Sequence, residues 1–368
     1  MYCRNCGRDI GEYPYCPTCG TAAREENAAH AARPGAEEKT ERTEKTFTAR
    51  VKDTFDSMTG NDGEQVDFRL RDLWCDVMKK HTREESEQLL ISGTGTTTPP
   101  PEEVAIGWSK PWLYSRIFAV LAVTFALLYA CVYFFNNALA LPGLIFIGAL
   151  MMPFSLLILF WETNIPRNIS IFELVKLFFV GGVASLVFTL TIFSFISPAE
   201  LDVIGAILVG IVEEVGKLIA VAIFIRRAKC RYILNGILIG AAIGTGFAVF
   251  ESAGYALVYS ADINGIIESI FLRGFLSAGG HVVWAAMSGA AIMFAKGEGE
   301  LTMQAFGKKE FWRLFPVPIV LHAVWDMPFS TIPVLVLLIV IAWVFILALI
   351  RSGMSEINRL HQTQQEAE

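Results

Sequence analysis

The sequence contains no long run of basic residues, and its formal net charge at pH 7 is only −6. Proteins that bind nucleic acids usually concentrate lysine and arginine on one surface, so the composition gives no reason to expect a nucleic-acid partner. A secretory signal peptide is also lacking, because the first residues are polar and rich in cysteine. We therefore expect the first long apolar segment, which begins near Trp112, to act as the membrane insertion signal.

The seven cysteines do not form the framework that disulfide-rich secreted domains have. Cys75, Cys131 and Cys230 are scattered, and we expect them to be chemically inert. The other four form two Cys-x2-Cys pairs separated by nine residues: Cys3, Cys6, Cys16 and Cys19. This spacing is typical of four thiolates around a structural zinc ion, and the glycine that follows each pair relieves a tight turn. The sequence predicts a zinc ribbon of unidentified partner; two disulfides are the alternative, which a reducing compartment disfavours.

Hydrophobic residues make up 54% of the chain, which is too apolar for a soluble domain of 368 residues. Eight apolar segments are predicted to span a membrane: about 112–135, 138–161, 171–196, 202–225, 232–259, 275–295, 311–329 and 331–350. The predicted fold class is therefore an all-α polytopic membrane protein with about eight transmembrane helices, preceded by the zinc ribbon and an amphipathic helix.

Composition and periodicity divide the rest of the chain. Few large apolar side chains occur in residues 23–66, which predicts a flexible linker, whereas apolar residues recur every three or four positions over 67–92 and predict an amphipathic helix. The predicted organisation is a zinc ribbon at 1–22, a linker at 23–66, an amphipathic helix at 67–92, a proline-rich spacer at 93–110, an eight-span membrane domain at 111–351 and a cytoplasmic tail at 352–368.

Lysine and arginine are concentrated in alternate loops, most densely between Arg226 and Arg231. The opposite loops, near Asn136, Glu200 and Thr331, contain no basic residue, and Arg273 alone breaks the pattern. The positive-inside rule therefore predicts that both termini are cytoplasmic.

Glu213, Glu214 and Lys217 lie inside the apolar stretch 203–225. A charged residue at the centre of a membrane span costs about 2.5–3.5 kcal/mol on insertion scales, so these groups must face protein or water and have partners. A purely structural pair between Glu213 and Lys217, which are one helical turn apart, leaves Glu214 unexplained. We interpret the stretch as part of a functional site.

Three later segments also carry polar residues at their centres. Glu251 and Tyr255 share one helix face, His281 follows two glycines, and His322 and Asp326 lie one turn apart. A single buried histidine is usually a core residue, but four consecutive spans each carry an acidic residue or a histidine while the first three carry almost none.

These groups lie at similar depths if the spans are regular helices. A rise of about 1.5 Å per residue puts Glu213 about 16 Å, Glu251 about 12 Å and His322 about 10 Å below the outer surface, with His281 shallower still. We expect them to meet in one cavity that opens to the extracytoplasmic side. A carboxylate and two imidazoles are suited to activating water, because the carboxylate takes a proton and an imidazole stabilises the oxyanion or protonates the leaving amine.

The motifs occur in order on successive spans: Glu-Glu-x-x-Lys at Glu213, Glu214 and Lys217, Phe-Glu-x-x-x-Tyr at Phe250, Glu251 and Tyr255, a lone His281, and His-x-x-x-Asp at His322 and Asp326. Over about residues 110–350 the sequence resembles the PrsW family of bacterial intramembrane proteases. That family is similar in turn to the CAAX prenyl proteases, to bacteriocin-immunity membrane proteases and to the scaffold subunit of gamma-secretase. The resemblance implies an endopeptidase of the bacterial cell membrane that cleaves a single-span, membrane-tethered substrate such as an anti-sigma factor.

The resemblance also implies a role for each matched residue. Glu213 or Glu214 would be the general base, and Glu251 would help to hold water. His281 and His322 would act as acid or oxyanion partners. The supporting residues would be Lys217, which orients the glutamates, Tyr255, and Asp326, which fixes the tautomer of His322.

Three alternatives remain open. The same glutamates and histidines could ligate a catalytic zinc ion, although no His-Glu-x-x-His motif is present. A non-catalytic scaffold or sensor is disfavoured because the motif glutamates and histidines are all present. A proton-coupled transporter is disfavoured because no inverted repeat is evident. The only cofactor expected from the residues themselves is the structural zinc of the ribbon.

Overall fold

The computed structural model describes residues 47–61, 70–104, 107–198, 200–258 and 262–367. The first four α-helices are α1 (Phe47–Thr59), α2 (Arg83–Leu90), α3 (Leu113–Tyr133) and α4 (Leu141–Thr163). The remaining helices are α5 (Ile171–Lys176), α6 (Gly182–Phe193), α7 (Val203–Ala228), α8 (Ile233–Val258), α9 (Ile263–Leu276), α10 (His281–Lys296), α11 (Lys309–Leu314), α12 (Pro316–Trp325) and α13 (Ile332–Ala367). A π-helical turn, Leu177–Gly181, joins α5 to α6. No β-strand occurs in the part of the chain listed above, which confirms the all-α fold class.

Six helical stretches are long and apolar enough to cross a membrane: Leu113–Tyr133, Ala138–Thr163, Ile171–Phe193, Ile233–Val258, Ile263–Lys296 and Ile332–Thr363. The chain is therefore a multi-pass membrane protein, but two of the eight predicted spans are not among these six. One is α7, which has sufficient length but carries Glu213, Glu214 and Lys217. The other is the predicted span 311–329, which is broken into the short helices α11 and α12 where Pro316 begins a new helix. Both of these segments carry predicted site residues: Glu213, Glu214 and Lys217 lie on α7, and His322 lies on α12.

Helix α8 lies at the centre of the bundle, with 94% of its apolar stretch buried, whereas the figure for α3 at the periphery is 6%. Glycines on one face of α8 allow α10 to approach closely. A Cβ atom on Gly244 would lie 2.7 Å from the Cβ of Ala285, a distance that ordinary side chains do not reach. The two helices run antiparallel, so Gly244 in the middle of α8 lies beside His281 at the start of α10.

The buried carboxylate of Glu162, near the end of α4, anchors the start of α3. It accepts hydrogen bonds from the backbone N–H groups of Trp112, Leu113 and Tyr114 at 2.8–2.9 Å. The first N–H groups of a helix have no partner within the helix, so an acceptor supplied by a neighbouring span satisfies them. This contact fixes the pairing of α3 with α4.

The predicted flexible linker at 23–66 is wrong for its last part, because residues 47–59 form α1. Phe55 packs edge to face on Phe345 of α13, with ring centroids 5.0 Å apart. Beyond the helix, Asn61 Nδ2 donates to the carbonyl of Ala348 at 3.2 Å, and Ser352 Oγ donates to the carbonyl of Gly60 at 3.1 Å. The composition did not indicate this helix because α13 supplies the apolar surface that α1 lacks.

The single amphipathic helix predicted over 67–92 is also wrong. Within the described part of this range, the structure has a 3-10 turn at Leu70–Leu73 and then α2, with irregular chain between them. Thr82 ends any continuous helix, because it forms the N-cap of α2 in a capping box with Glu85. His81 stacks on Trp112, with ring centroids 3.9 Å apart, so the segment packs against the start of α3. The predicted zinc ribbon lies outside the described residues.

Candidate active site

Four helices bring their polar residues to the same end of the bundle. Helices α7 and α12 cross closely at Gly210, where a Cβ atom would lie only 2.9 Å from the backbone nitrogen of Ala323. One turn later, α7 presents Glu213 and Glu214 to His322, which lies on the last turn of α12. Glycine at position 210 is therefore required for the approach that lets these side chains meet.

Glu214 and Lys217 form a fully buried ion pair, with Lys217 Nζ 2.6 Å from Glu214 Oε1. The same oxygen lies 2.8 Å from His322 Nδ1. Because the carboxylate is an acceptor, the Nδ1–H of His322 donates to it, which leaves Nε2 facing the site. The structural pairing considered from sequence was Glu213 with Lys217, but Lys217 instead pairs with Glu214.

His281 is held at both of its ring nitrogens. Lys217 Nζ lies 2.8 Å from Nδ1, and Glu251 Oε2 lies 2.9 Å from Nε2. An ammonium can only donate, so Nδ1 accepts and the Nε2–H donates to Glu251. Lys217 thus connects Glu214 to His281, and its ammonium lies 4.6 Å from the centre of the Phe247 ring.

Each of the two glutamates has a buried Oε2 atom without a hydrogen-bond partner among the described residues, but only Glu213 lines a cavity. Glu213 Oε2 lies 3.5 Å from His322 Nε2 and 4.0 Å from His281 Nδ1. A buried carboxylate oxygen without a partner is costly, so Glu213 Oε2 is suited to accept a hydrogen bond from water or a substrate group, or to bind a cation.

Glu213 lines a small cavity of about 70 Å³. Its lining includes Glu213, Glu251, Tyr255, Arg273, His281, His322 and Asp326, together with Ser252, Trp284 and Trp325. Glu214 and Lys217 do not line the cavity. All eight predicted site residues of the membrane domain thus lie in one cluster: six line the cavity, and Glu214 and Lys217 contact His322 and His281 from behind. The predicted zinc ligands Cys3, Cys6, Cys16 and Cys19 lie outside the described residues.

Arg273 on α9 belongs to this cluster, although the sequence argument did not assign it to the site. Its guanidinium donates to Glu251 Oε2 at 2.6 Å and to Ser252 Oγ at 3.2 Å, and it lies 4.2 Å from the centre of the Tyr255 ring. One signal in the sequence could have identified Arg273, because it is the single basic residue that departs from the alternation of basic and non-basic loops. It compensates the charge of Glu251.

Asp326 was expected to fix the tautomer of His322, but Glu214 makes that contact at Nδ1. Asp326 Oδ2 instead lies 3.4 Å from Nε2, on the side of the ring that faces the cavity. The i,i+4 spacing correctly indicates that the two side chains share a face. It does not indicate which ring nitrogen is used.

The donor set is compatible with a metal ion. Glu213, His281 and His322 each offer a ligand atom, and these atoms lie within 4.8 Å of one another. Zinc binds nitrogen and oxygen ligands at about 2.0–2.2 Å, so an inward shift of the side chains would suit it. Glu213 Oε2 has no hydrogen bond to lose, whereas His281 would have to release Lys217 or Glu251.

Comparison with known proteins agrees with this arrangement. Residues 170–350 match one family, described as PrsW family intramembrane metalloprotease. The matched range begins before α5 and ends within α13, so it includes every helix that supplies a residue to the cluster. No curated protein and no solved structure matches the sequence.

Proposed function

Since the chain belongs, through residues 170–350, to the PrsW family of intramembrane peptidases, we propose that it hydrolyses a peptide bond of a membrane-tethered substrate at the Glu213, His281 and His322 cluster. The observation that carries this proposal is the position of Glu213, which lines a cavity together with both histidines and whose unpaired Oε2 lies 3.5 Å from His322 Nε2. Of the two adjacent glutamates, only Glu213 has a carboxylate oxygen available to a water molecule there.

In the proposed reaction, water bound in the cavity attacks the carbonyl carbon of the scissile peptide, and Glu213 Oε2 takes the proton that it releases. Glu214 acts indirectly, because it orients His322 through Nδ1 and so aims Nε2 at the reacting groups. With carboxylates near both ring nitrogens, His322 is arranged to carry a proton to the leaving amine through Nε2.

Glu251 and His281 form the opposite wall of the cavity. The Nε2–H of His281 is committed to Glu251 in the structure, and Lys217 holds its other nitrogen. This arrangement fixes the imidazole ring before substrate arrives, and preorganisation of this kind lowers the cost of reaching the transition state. When a substrate displaces Glu251, the Nε2–H of His281 would donate a hydrogen bond to the oxyanion that forms on the scissile carbonyl.

We further propose that cleavage occurs in the outer half of the bacterial cell membrane. The cluster lies in the first half of α7 and near the end of α8, far along both helices from the basic loop between Arg226 and Arg231. The positive-inside rule supports a cytoplasmic position for that loop and for both termini, and therefore a cavity toward the extracytoplasmic side. A single-span protein, such as an anti-sigma factor, is the substrate class that can reach it.

A catalytic metal is the second candidate, favoured by the donor group and by the description of the family. Glu213, His281 and His322 would then be the ligands, and Glu214 would orient His322 from behind. A bound divalent ion would supply Lewis-acid activation of water. In a chain that begins at residue 23, exhaustive chelation should leave cleavage unchanged if Glu213 is the base; loss of cleavage that zinc restores would establish the metal instead.

The proposed function is tested with the purified full-length chain in lipid vesicles and a single-span reporter protein. The proposal expects products whose masses place the cut within the outer half of the span. The Glu173→Gln variant is the matched control, since Glu173 is a surface residue paired with Lys176. Cuts confined to the cytoplasmic half, or equal cleavage by a His322→Ala variant, would contradict the proposal.

A further inference from the structure

Two further cavities lie near the C-terminal end of α7, away from the candidate active site. The first, which we call the basic pocket, has a volume of about 590 Å³ and is lined by charged side chains from α7, the following loop and the end of α10. Four are basic and two are acidic: Arg226, Lys229, Arg231, Lys296, Glu298 and Glu300. The pocket thus carries a formal excess of two positive charges.

The basic side chains of the pocket are largely uncommitted. Among the described residues, Arg226 and Lys229 form no ion pair, and the Arg231 guanidinium lies 5.8 Å from the centre of the Tyr232 ring. Lys296 Nζ donates to the carbonyl of Gly297 at 3.2 Å. The four basic groups outnumber the two carboxylates of the lining, so an anion bound between them would be stabilised.

An apolar groove of about 410 Å³ adjoins the basic pocket and shares Arg226 and Leu301 with it. The rest of the groove is almost wholly apolar, and it runs along α7 past Ala222 and Ile223. Met303, on its other wall, is 82% exposed. A soluble anion would gain nothing from this groove, whereas an acyl chain would cover it.

We propose that the basic pocket and the apolar groove together bind one acidic phospholipid, with its phosphate among Arg226, Lys229 and Lys296 and an acyl chain along α7. The two cavities meet at Arg226, next to the end of the predicted span 202–225, and the end of a span lies at the level of the lipid headgroups. The basic pocket and the apolar groove are thus arranged in the same way as the headgroup and an acyl chain of a phospholipid.

The test measures lipid binding to the full-length protein in neutral detergent by native mass spectrometry. The probes are palmitoyl-oleoyl phosphatidylglycerol, phosphatidylcholine with the same chains, and glycerol 3-phosphate. We expect one phosphatidylglycerol bound at least tenfold more tightly than phosphatidylcholine. Each basic side chain near an anionic headgroup contributes about fivefold in affinity, so Arg226→Gln combined with Lys296→Gln should weaken binding by roughly 25-fold.

Matched variants separate the two parts of the site. Lys309→Gln removes an exposed charge outside both cavities and should leave binding unchanged. Ala222→Trp fills the groove and should weaken lipid binding, whereas Ala126→Trp on the exposed face of α3 should not. Ile223→Gln, at a position that is 36% exposed, replaces Ala222→Trp if the larger residue prevents folding. Equal binding of both lipids, equal binding of glycerol 3-phosphate, or no effect of the charge or groove variants would overturn the proposal.

Discussion

Glu213 and Glu214 show how adjacent residues of a helix can acquire different roles. Successive side chains point about 100° apart, so one carboxylate faces the cavity while the other faces the interior of the bundle. Glu214 contacts both Lys217 and His322 through Oε1, whereas Glu213 lines the cavity and lies beside the Nε2 atom of His322. We therefore expect Glu214 to contribute mainly to the stability of the folded protein and Glu213 mainly to catalysis.

Glu214→Gln should destabilise the folded protein, because it removes the only negative partner of the buried Lys217 ammonium among its described ion pairs. Breaking a buried ion pair from one side costs on the order of 3–5 kcal/mol in the free energy of unfolding. Glu213→Gln should change that free energy little. Denaturant unfolding of both variants in detergent checks the difference, and a larger loss for Glu213→Gln would reverse the assignment.

Arg273 is expected to be a positioning residue that acts through Glu251. Without its guanidinium, Glu251 would lose its 2.6 Å contact and its hold on His281 would weaken. Arg273→Gln should lower kcat about 10- to 100-fold, the range found for residues that orient catalytic groups or ligands, with little change in KM. Arg273→Lys should recover part of the loss because it keeps the charge. A kcat equal to wild type for Arg273→Gln would remove Arg273 from the site.

At the scale of helices, the site depends on how closely α7 can approach α12. The approach is made at Gly210, where a side chain would meet the backbone of α12 rather than a flexible group that can move aside. The buried contacts of Glu214 with His322 lie one turn further along and depend on that approach.

Gly210→Ala should therefore reduce both thermal stability and cleavage. The matched control is Gly254→Ala on α8, where a Cβ atom would have no neighbour within 4 Å. In the control, alanine should be neutral or stabilising by up to about 1 kcal/mol, because glycine is the weaker helix former. Comparison of melting temperature and cleavage rate for the two variants checks this, and equal behaviour would contradict the proposed role of Gly210.

The sequence predicted those features whose signal lies within a single segment, and it missed those that depend on contact with a distant part of the chain. The site motifs could be predicted because charge within an apolar span is unusual whatever surrounds it. In contrast, α1 was missed because its apolar contact is Phe345, almost 300 residues away in sequence. Likewise, Arg273 was missed because only the folding of α9 against α8 brings it to Glu251.

At the scale of the whole molecule, the proposed orientation rests on the distribution of charge. Native Cys230 lies in the basic loop but is a poor reporter of sidedness, because it is buried and burial raises the pKa of its thiol to about 12. It remains a protonated and unreactive thiol at any pH suitable for labelling.

Introduced cysteines at exposed positions should report the orientation instead. In intact cells, an impermeant thiol reagent should label Glu200→Cys, and it should label Lys229→Cys only after the membrane is permeabilised. Labelling of both positions in intact cells, or the reverse order, would be inconsistent with a cavity on the extracytoplasmic side.

The most direct test of the account compares the cleavage rate of wild type with that of Glu213→Gln, using the single-span reporter in lipid vesicles. Glutamine keeps the shape of the side chain but cannot take a proton from water. Loss of a general base typically slows a reaction by about 10²- to 10⁴-fold, and we predict a decrease of this size with unchanged folding. A folded Glu213→Gln variant that cleaves at the wild-type rate would contradict the central claim that Glu213 activates water for peptide hydrolysis.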